Sequence, residues 1–301
     1  MRVLITGATG LVGKEIVKLC HEDGIAVNYL TTSKSKLQNQ DNYKGFYWNP
    51  KAGEIDKACF NDVDTLINLV GASISKRWIS SYKKEVLESR THTARLLKKT
   101  IDDNNFSVKH VVSASAIGIY PSSLVNYFEE DFDKVSNTFL GEVVKHWETA
   151  IDAFKTSHID VCKLRIGLVL SEKGGALPEI IRPIKFGAGA AFGTGDQWQS
   201  WIHVEDLAKL FMYAVKQGLT GVYNAVAPNP VTNAELTKTA AKVLKRPLVL
   251  PNIPKFAMKL ALGEMHMLLF ESQRVSSLKI EQEGFDFTFA NLEPALKDLL
   301  G

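Results

Sequence analysis

Nearly continuous apolar runs punctuate the first two-thirds of the chain, at Val3–Thr6, Val27–Thr31, Thr65–Val70, His110–Ser115 and Val161–Val169. A strand buried on both faces reads this way, because neither side can present polar groups to water. Between these runs, Leu11–Cys20, Ile79–Ile101 and Leu140–Lys155 show helical spacing. In the first of them Leu11, Val12, Ile16, Val17, Leu19 and Cys20 fall on one face. Strands alternating with helices need crossover connections. The pattern therefore predicts an α/β fold, a Rossmann-type doubly wound parallel sheet with helices on both faces.

The texture changes near residue 170. Gly174, Gly175, Gly187, Gly189, Gly193 and Gly195 mark a loop-rich stretch over 170–200. A helix over Val204–Lys216 and a short strand over Gly221–Asn224 then return to the sheet. Pro228 and Pro230 open a final section with helices expected at Asn233–Leu244, Pro254–Leu269 and Ser272–Glu283. This divides the chain into a Rossmann-type body, 1–170 plus 204–227, and a smaller, mostly helical C-terminal lobe, 171–203 plus 228–301.

The chemistry starts at Thr6-Gly7-Ala-Thr9-Gly10-Leu11-Val12-Gly13, directly after the first strand and opening the first helix. Glycines here allow a tight turn, close backbone approach to a pyrophosphate, and a small contact where helix meets sheet. The helix N-terminus adds free N–H groups and a partial positive charge. The spacing is Gly-x-x-Gly-x-x-Gly. Its position after a strand and before a crossover helix predicts a dinucleotide held by Gly7, Thr9, Gly10, Leu11, Val12 and Gly13.

At the end of the second strand, an acid usually accepts the ribose 2′-hydroxyl of NAD. Here the chain reads Thr31-Thr-Ser33-Lys34-Ser35-Lys36, with no acid. Hydroxyls and lysines suit a 2′-phosphate, so Ser33 and Lys34 are expected to bind NADP in preference to NAD. The alternative is that both lysines are solvated loop charges.

Composition narrows the rest. In 301 residues, 36 basic and 33 acidic side chains leave a charge of +3, too small and dispersed to suggest nucleic acid as the main partner. Cys20, Cys59 and Cys162 lie far apart and no His/Cys group has zinc-ligand spacing, so buried thiols in a reducing compartment are expected, and no metal. Neither a signal-type leader nor an apolar run of about 18 residues is present, so a cytoplasmic protein with no membrane partner is expected.

Several further motifs resemble the extended and atypical short-chain dehydrogenase/reductase superfamily, and within it the "epimerase family" group that is similar to nucleotide-sugar epimerases. They are Asn68-Leu-Val-Gly71-Ala72, Arg77-Trp78 through Ser89-Arg90, Ser113-Ala-Ser115-Ala-Ile-Gly-Ile-Tyr120, Leu164-Arg-Ile166-Gly167, Trp198-Gln-Ser-Trp-Ile-His203 and Ala227-Pro-Asn-Pro-Val-Thr-Asn233. The resemblance implies that Gly71 and Ala72 line the adenine-ribose side and that Ile166 and Gly167 approach the nicotinamide. It places Ser113 beside the cofactor and Ser115 where a hydroxyl orients a substrate carbonyl or alcohol. Ordinary strand-end hydroxyls are the alternative reading of both serines. A small-molecule substrate and a homodimer are implied in the same way.

The departure from the superfamily lies on the following helix. Its enzymes carry Tyr-x-x-x-Lys there, with the tyrosine as acid/base and the lysine lowering its pKa. This chain reads Phe139-Leu-Gly-Glu-Val143. Phenylalanine cannot transfer a proton and valine supplies no charge. Tyr120 joins Ser115 as a candidate catalytic residue, and Glu142, Lys145, His146 and His203 are weaker candidates. For His203, capping the helix at Val204 is the simpler role. Two functions follow: an NADP(H)-dependent oxidoreductase or epimerase on a nucleotide-sugar-like or other hydroxyl/carbonyl substrate, or a non-catalytic dinucleotide-binding sensor or scaffold.

Overall fold

Strand β1 (Arg2–Thr6) pairs in parallel with two neighbours, and the sheet grows outward from it in both directions. On one side come β2 (Ala26–Thr31) and β3 (Tyr43–Asn49). On the other come β4 (Thr65–Asn68), β5 (His110–Ala116), β6 (Asp160–Ile166) and β7 (Gly221–Ala225), giving the order β7-β6-β5-β4-β1-β2-β3. All of these pairings are parallel. Two short antiparallel additions, Asn39–Gln40 and Glu54–Ile55, flank β3. This is the expected doubly wound sheet in a computed structural model that describes residues 1–301.

Helices α1 (Leu11–Glu22), α2 (Ser80–Asn104) and α3 (Phe139–Asp152) follow β1, β4 and β5. Later helices are α4 (Leu177–Lys185), α5 (Val204–Gln217), α6 (Asn233–Val243), α7 (Lys255–Leu262), α8 (Met267–Phe270), α9 (Leu278–Gln282) and α10 (Leu292–Leu300). Helix α1 packs against α5, where the Cys20 thiol meets Met212 sulfur at 3.5 Å, and α2 packs against α3. The main core lies between these helix pairs and the sheet. A second core gathers Leu170, Leu177, Trp201, Leu236, Ala240 and Leu296 under α4, α6 and α10. No helix is long and apolar enough to cross a membrane.

Several elements differ from the sequence expectation. Strand β3 was not anticipated, because Lys44 and Gly45 interrupt its apolar pattern. Gly45 is where the Tyr29 ring crosses the strand, and a Cβ there would lie 2.5 Å from that ring. The run Val161–Val169 divides at Gly167, where a Cβ would sit 2.2 Å from the Ser200 carbonyl oxygen. Beyond it Leu168–Leu170 leaves the sheet and pairs with Trp201–His203. The stretch expected as loop contains α4, and the expected helix Pro254–Leu269 breaks at Gly263, whose φ is +60°. The expected helix Ser272–Glu283 instead begins with the short strand Arg274–Val275 and is helical only over the short α9, and α10 was not anticipated.

Candidate dinucleotide and substrate cleft

Because β1 hydrogen-bonds to both β2 and β4, the strand order reverses at its carboxyl end, the position at which open α/β sheets hold their ligands. The Gly7–Gly13 loop fills this position. Gly7 has φ +77°, and the Gly10 N–H closes the turn onto the Gly7 carbonyl at 2.9 Å. A Cβ on Gly13 would lie 2.2 Å from that same carbonyl oxygen, so only glycine lets α1 start this close to β1. Gly10 precedes α1 with no side-chain cap, and the first turn carries no acid. The N–H groups of Leu11, Val12 and Gly13 therefore face a site suited to a diphosphate.

The floor of the loop is tied across three strands. Thr6 Oγ1 donates to Asn68 Oδ1 (2.8 Å), and Asn68 Nδ2 donates to Ser113 Oγ (3.1 Å), which donates to the Ala114 carbonyl (2.9 Å). Ser113 is 0% exposed, so it lies beneath the cleft, a strut in its floor with no face open to a cofactor. Gly7, Thr9, Leu11, Val12, Ala72, Ile166 and Gly167 are half-buried, and Gly10 and Gly71 are exposed, along the carboxyl ends of β1, β4 and β6. Ser89 and Arg90 on α2 hold the loop after β4. The Ala72 N–H donates to Ser89 Oγ (2.9 Å) and Arg90 donates to the Ala72 carbonyl (3.2 Å) while its guanidinium covers the Trp147 ring at 5.1 Å. Burial lowers the Arg90 pKa to about 10.

At the end of β2, Ser33 Oγ and Ser35 Oγ are 2.8 Å apart. The exposed Lys34 ammonium lies 5.2 Å from the Tyr47 ring centre. No acid occurs between Ala26 and Gln40. The residues present thus fit a dinucleotide at the glycine loop, and the end of β2 offers hydroxyls and a cation in place of a carboxylate.

Ser115 and Tyr120 were expected to meet substrate, and the structure places both in a buried charge network, 3% and 1% exposed. Ser115 Oγ donates to Glu148 Oε1 at 2.6 Å. Arg165 forks onto the same carboxylate through Nε (2.9 Å) and Nη2 (3.1 Å), and its Nη1 donates to the Tyr120 hydroxyl (2.9 Å). The Tyr120 hydroxyl donates onward to Asn224 Oδ1 (2.8 Å), and Lys163 approaches Glu148 at 3.5 Å. Burial alone would push the Glu148 carboxyl up, but Arg165, Ser115 and Lys163 outweigh it and hold it below its ordinary range. Burial pushes the Tyr120 hydroxyl up to about 12 despite Arg165. A tyrosine so placed does not give up its proton near neutrality.

The weaker candidates also separate. Glu142, Lys145 and His146 lie on the solvent face of α3. His203 caps α5 by accepting the Glu205 N–H at its Nδ1 (3.2 Å), and its ring centre lies 4.0 Å from that of Phe289, the two rings tilted by 31°. Phe139 opens α3, flanked by the Trp78 ring at 5.2 Å and the Lys83 ammonium at 5.2 Å, and Val143 is buried.

Sequence reasoning missed Glu148, Arg165 as its partner, and the roles of Ser89 and Arg90. A signal was present for the first pair. Glu148 shares the α3 stripe of Val144, Trp147 and Ile151, and Lys163 and Arg165 alternate on one face of a central strand. Charges in such places require one another.

Comparison with known proteins agrees with this geometry. A family model described as "NAD dependent epimerase/dehydratase family" matches residues 3–225, and one described as a "Domain of unknown function (DUF1731)" matches residues 253–299. The chain is 37% identical to the Bacillus subtilis epimerase family protein YfhF, covering all of this chain and 98% of that protein. It is 37% identical to the Arabidopsis thaliana "Epimerase family protein SDR39U1 homolog, chloroplastic", covering all of this chain and 87% of that one. Among solved structures, human epimerase family protein SDR39U1 with NADPH superposes with a TM-score of 0.84 at 28% identity, covering 99% of each chain.

Proposed function

This chain belongs to the NAD dependent epimerase/dehydratase family, and from that premise we propose that it is an NADPH-dependent oxidoreductase or epimerase acting on a nucleotide-sugar-like or other hydroxyl/carbonyl substrate. The observation that carries this reading is the uncapped N-terminus of α1 behind the Gly7–Gly13 loop, free of acids and set at the reversal of strand order. NADPH in a solved relative and the acid-free end of β2 at Ser33 and Lys34 favour NADP over NAD.

When bound, the cofactor supplies a hydride equivalent. The chain's own residues do the rest. Leu11, Val12 and Gly13 N–H groups hold the diphosphate, Lys34 neutralises the 2′-phosphate, and Gly71 and Ala72 border the adenine ribose. Ile166 and Gly167 border the nicotinamide and keep water from it. Ser115 and Tyr120 act in this reading as positioning residues that fix α3 against β5 and β6. The body 1–170 plus 204–227 carries the cofactor, and 171–203 plus 228–301 carries the substrate. A cytoplasmic location and a homodimer belong to the same proposal.

The test is NADPH consumption by the purified protein with a panel of nucleotide-diphosphate sugars and small ketones, with sugar products examined for inverted stereocentres. Turnover of any member supports the enzyme. Phe139 and Val143, where the superfamily has its acid/base pair, favour a second reading: a dinucleotide-binding sensor or scaffold that binds NADPH and turns over none of the panel.

A further inference from the structure

The most exposed large apolar side chains are Leu260 (85%), Phe186 (84%), Val125 (84%), Phe256 (75%) and Val249 (72%), and all but Val125 lie at one end of the C-terminal lobe. The backbone brings them together there. Phe186 ends α4, and the turn it opens runs beside Leu248, since a Cβ on Gly189 would lie 2.7 Å from Ile184 and 2.8 Å from Leu248. The Ile253 N–H donates to the Ala191 carbonyl (2.8 Å), and the Gly193 N–H donates to the Ile253 carbonyl (2.9 Å). Helix α7 starts two residues later, at Lys255.

No residue of α7 is buried. Ala257, Met258 and Leu262 are half-buried against the protein, while Phe256 and Leu260, one turn apart, occupy the opposite face. So short a helix draws its stability from covering an apolar face. Here two large apolar side chains face water instead.

The charge around this face has one sign. From Leu236 to Gly263 the chain carries Lys238, Lys242, Lys245, Arg246, Lys255 and Lys259, and no acid. Of these only Lys242 forms an ion pair, with Glu293 at 2.8 Å. Lys185 adds a further cation at the end of α4. The acids at either border are already engaged, Glu179 by Arg182 (3.9 Å) and Glu264 by Lys83.

We propose that this end of the lobe docks on an anionic phospholipid surface. Phe256 and Leu260 enter at the boundary of the acyl chains, Phe186 and Val249 lie beside them, and the unpaired lysines meet headgroup phosphates. Apolar side chains flanked by cations fit that boundary. A second copy of this chain fits it worse, because two-fold docking over this face would set the same cations against one another. A peptide fits worse too, because side chains this exposed stand clear of their neighbours and line no groove. Such docking needs no spanning helix, so it revises the expectation of no membrane partner, which rested on spanning length.

The test is co-sedimentation of the full chain with vesicles of phosphatidylglycerol and phosphatidylcholine in equal parts, and with vesicles of phosphatidylcholine alone. The expected result is binding to the anionic vesicles that weakens as salt is added. Phe256→Glu combined with Leu260→Glu should weaken it by about tenfold or more. Lys255→Gln and Lys259→Gln should each weaken it by about fivefold. All four side chains are exposed, so the melting temperature should not move. Phe256→Trp gives a readout that needs no loss of binding, because its added emission should shift to the blue on the anionic vesicles alone. No binding to the anionic vesicles, equal binding to both compositions, or an unmoved Phe256→Trp emission overturns the proposal. So does binding that survives the substitutions at Phe256 and Leu260. A dimer in gel filtration that Leu260→Glu separates also overturns it, since a second copy then covers the face. None of these readouts involves NADPH, so the cofactor reading stands or falls separately.

Discussion

Ser115 Oγ donates a 2.6 Å hydrogen bond to Glu148 Oε1, and this contact joins the end of β5 to the middle of α3 inside the protein. The carboxylate it meets is the hub of the network, because Arg165 forks onto both of its oxygens. Ser115→Ala should therefore act on stability first. Loss of one hydrogen bond to a charged group costs about 1.5–3 kcal/mol. Urea unfolding should show that loss, while NADPH affinity stays within about twofold. A large drop in affinity with unchanged stability would mean that Ser115 meets the cofactor and not the buried network.

Removing the hub has a larger effect. Glu148→Ala strands the buried Arg165 guanidinium, and breaking a buried pair in this way costs about 3–5 kcal/mol. Denaturant titration should place Glu148→Ala well below Ser115→Ala. Similar stabilities for the two would mean that Arg165 finds another partner or water.

The same network fixes a pH dependence. Glu148 and Asp152 are both held below their ordinary pKa values, by Arg165 and Ser115 in one case and by Lys155 and Lys163 in the other, against a burial effect that alone would raise them. A depressed carboxylate contributes stability that is complete above its unfolded pKa of about 4 and is lost as pH falls through the folded value. The wild type should lose more stability than Glu148→Gln between roughly pH 5 and pH 3. Parallel stability curves would contradict the assignment.

Two substitutions divide the cofactor site. Gly13→Val would force a Cβ to 2.2 Å from the Gly7 carbonyl oxygen and should abolish binding of both NADPH and NADH. Lys34→Ala leaves the loop intact. It should weaken NADPH by about tenfold, near 1.4 kcal/mol, and leave NADH unchanged. A uniform effect of Lys34→Ala on both cofactors would make Lys34 a solvated charge and nothing more.

The legible part of this protein was its local chemistry. The glycine loop, the strand–helix alternation and the acid-free end of β2 all declare themselves in contiguous residues, because turn, helix start and phosphate site are built from neighbours in sequence. The charge network was not legible in that way. Ser115, Tyr120, Glu148, Arg165 and Asn224 meet only after three strands and a helix have packed. A hydroxyl read as open to substrate was thereby turned inward. Strand β3 was hidden because its glycine makes room for the Tyr29 ring, a contact that no local pattern announces. The start of the helix expected at Ser272 is not helical, because Ser272 and Gln273 are tied to Ser122 and Tyr120 in the loop after β5.

The central claim is that the crevice at the end of β1 holds NADPH. Nicotinamide fluorescence of the purified protein, titrated with NADPH and separately with NADH, tests it most directly. The account predicts saturable NADPH binding, tighter than NADH by at least about tenfold, or 1.4 kcal/mol. Binding of neither cofactor, or tighter binding of NADH, would contradict it.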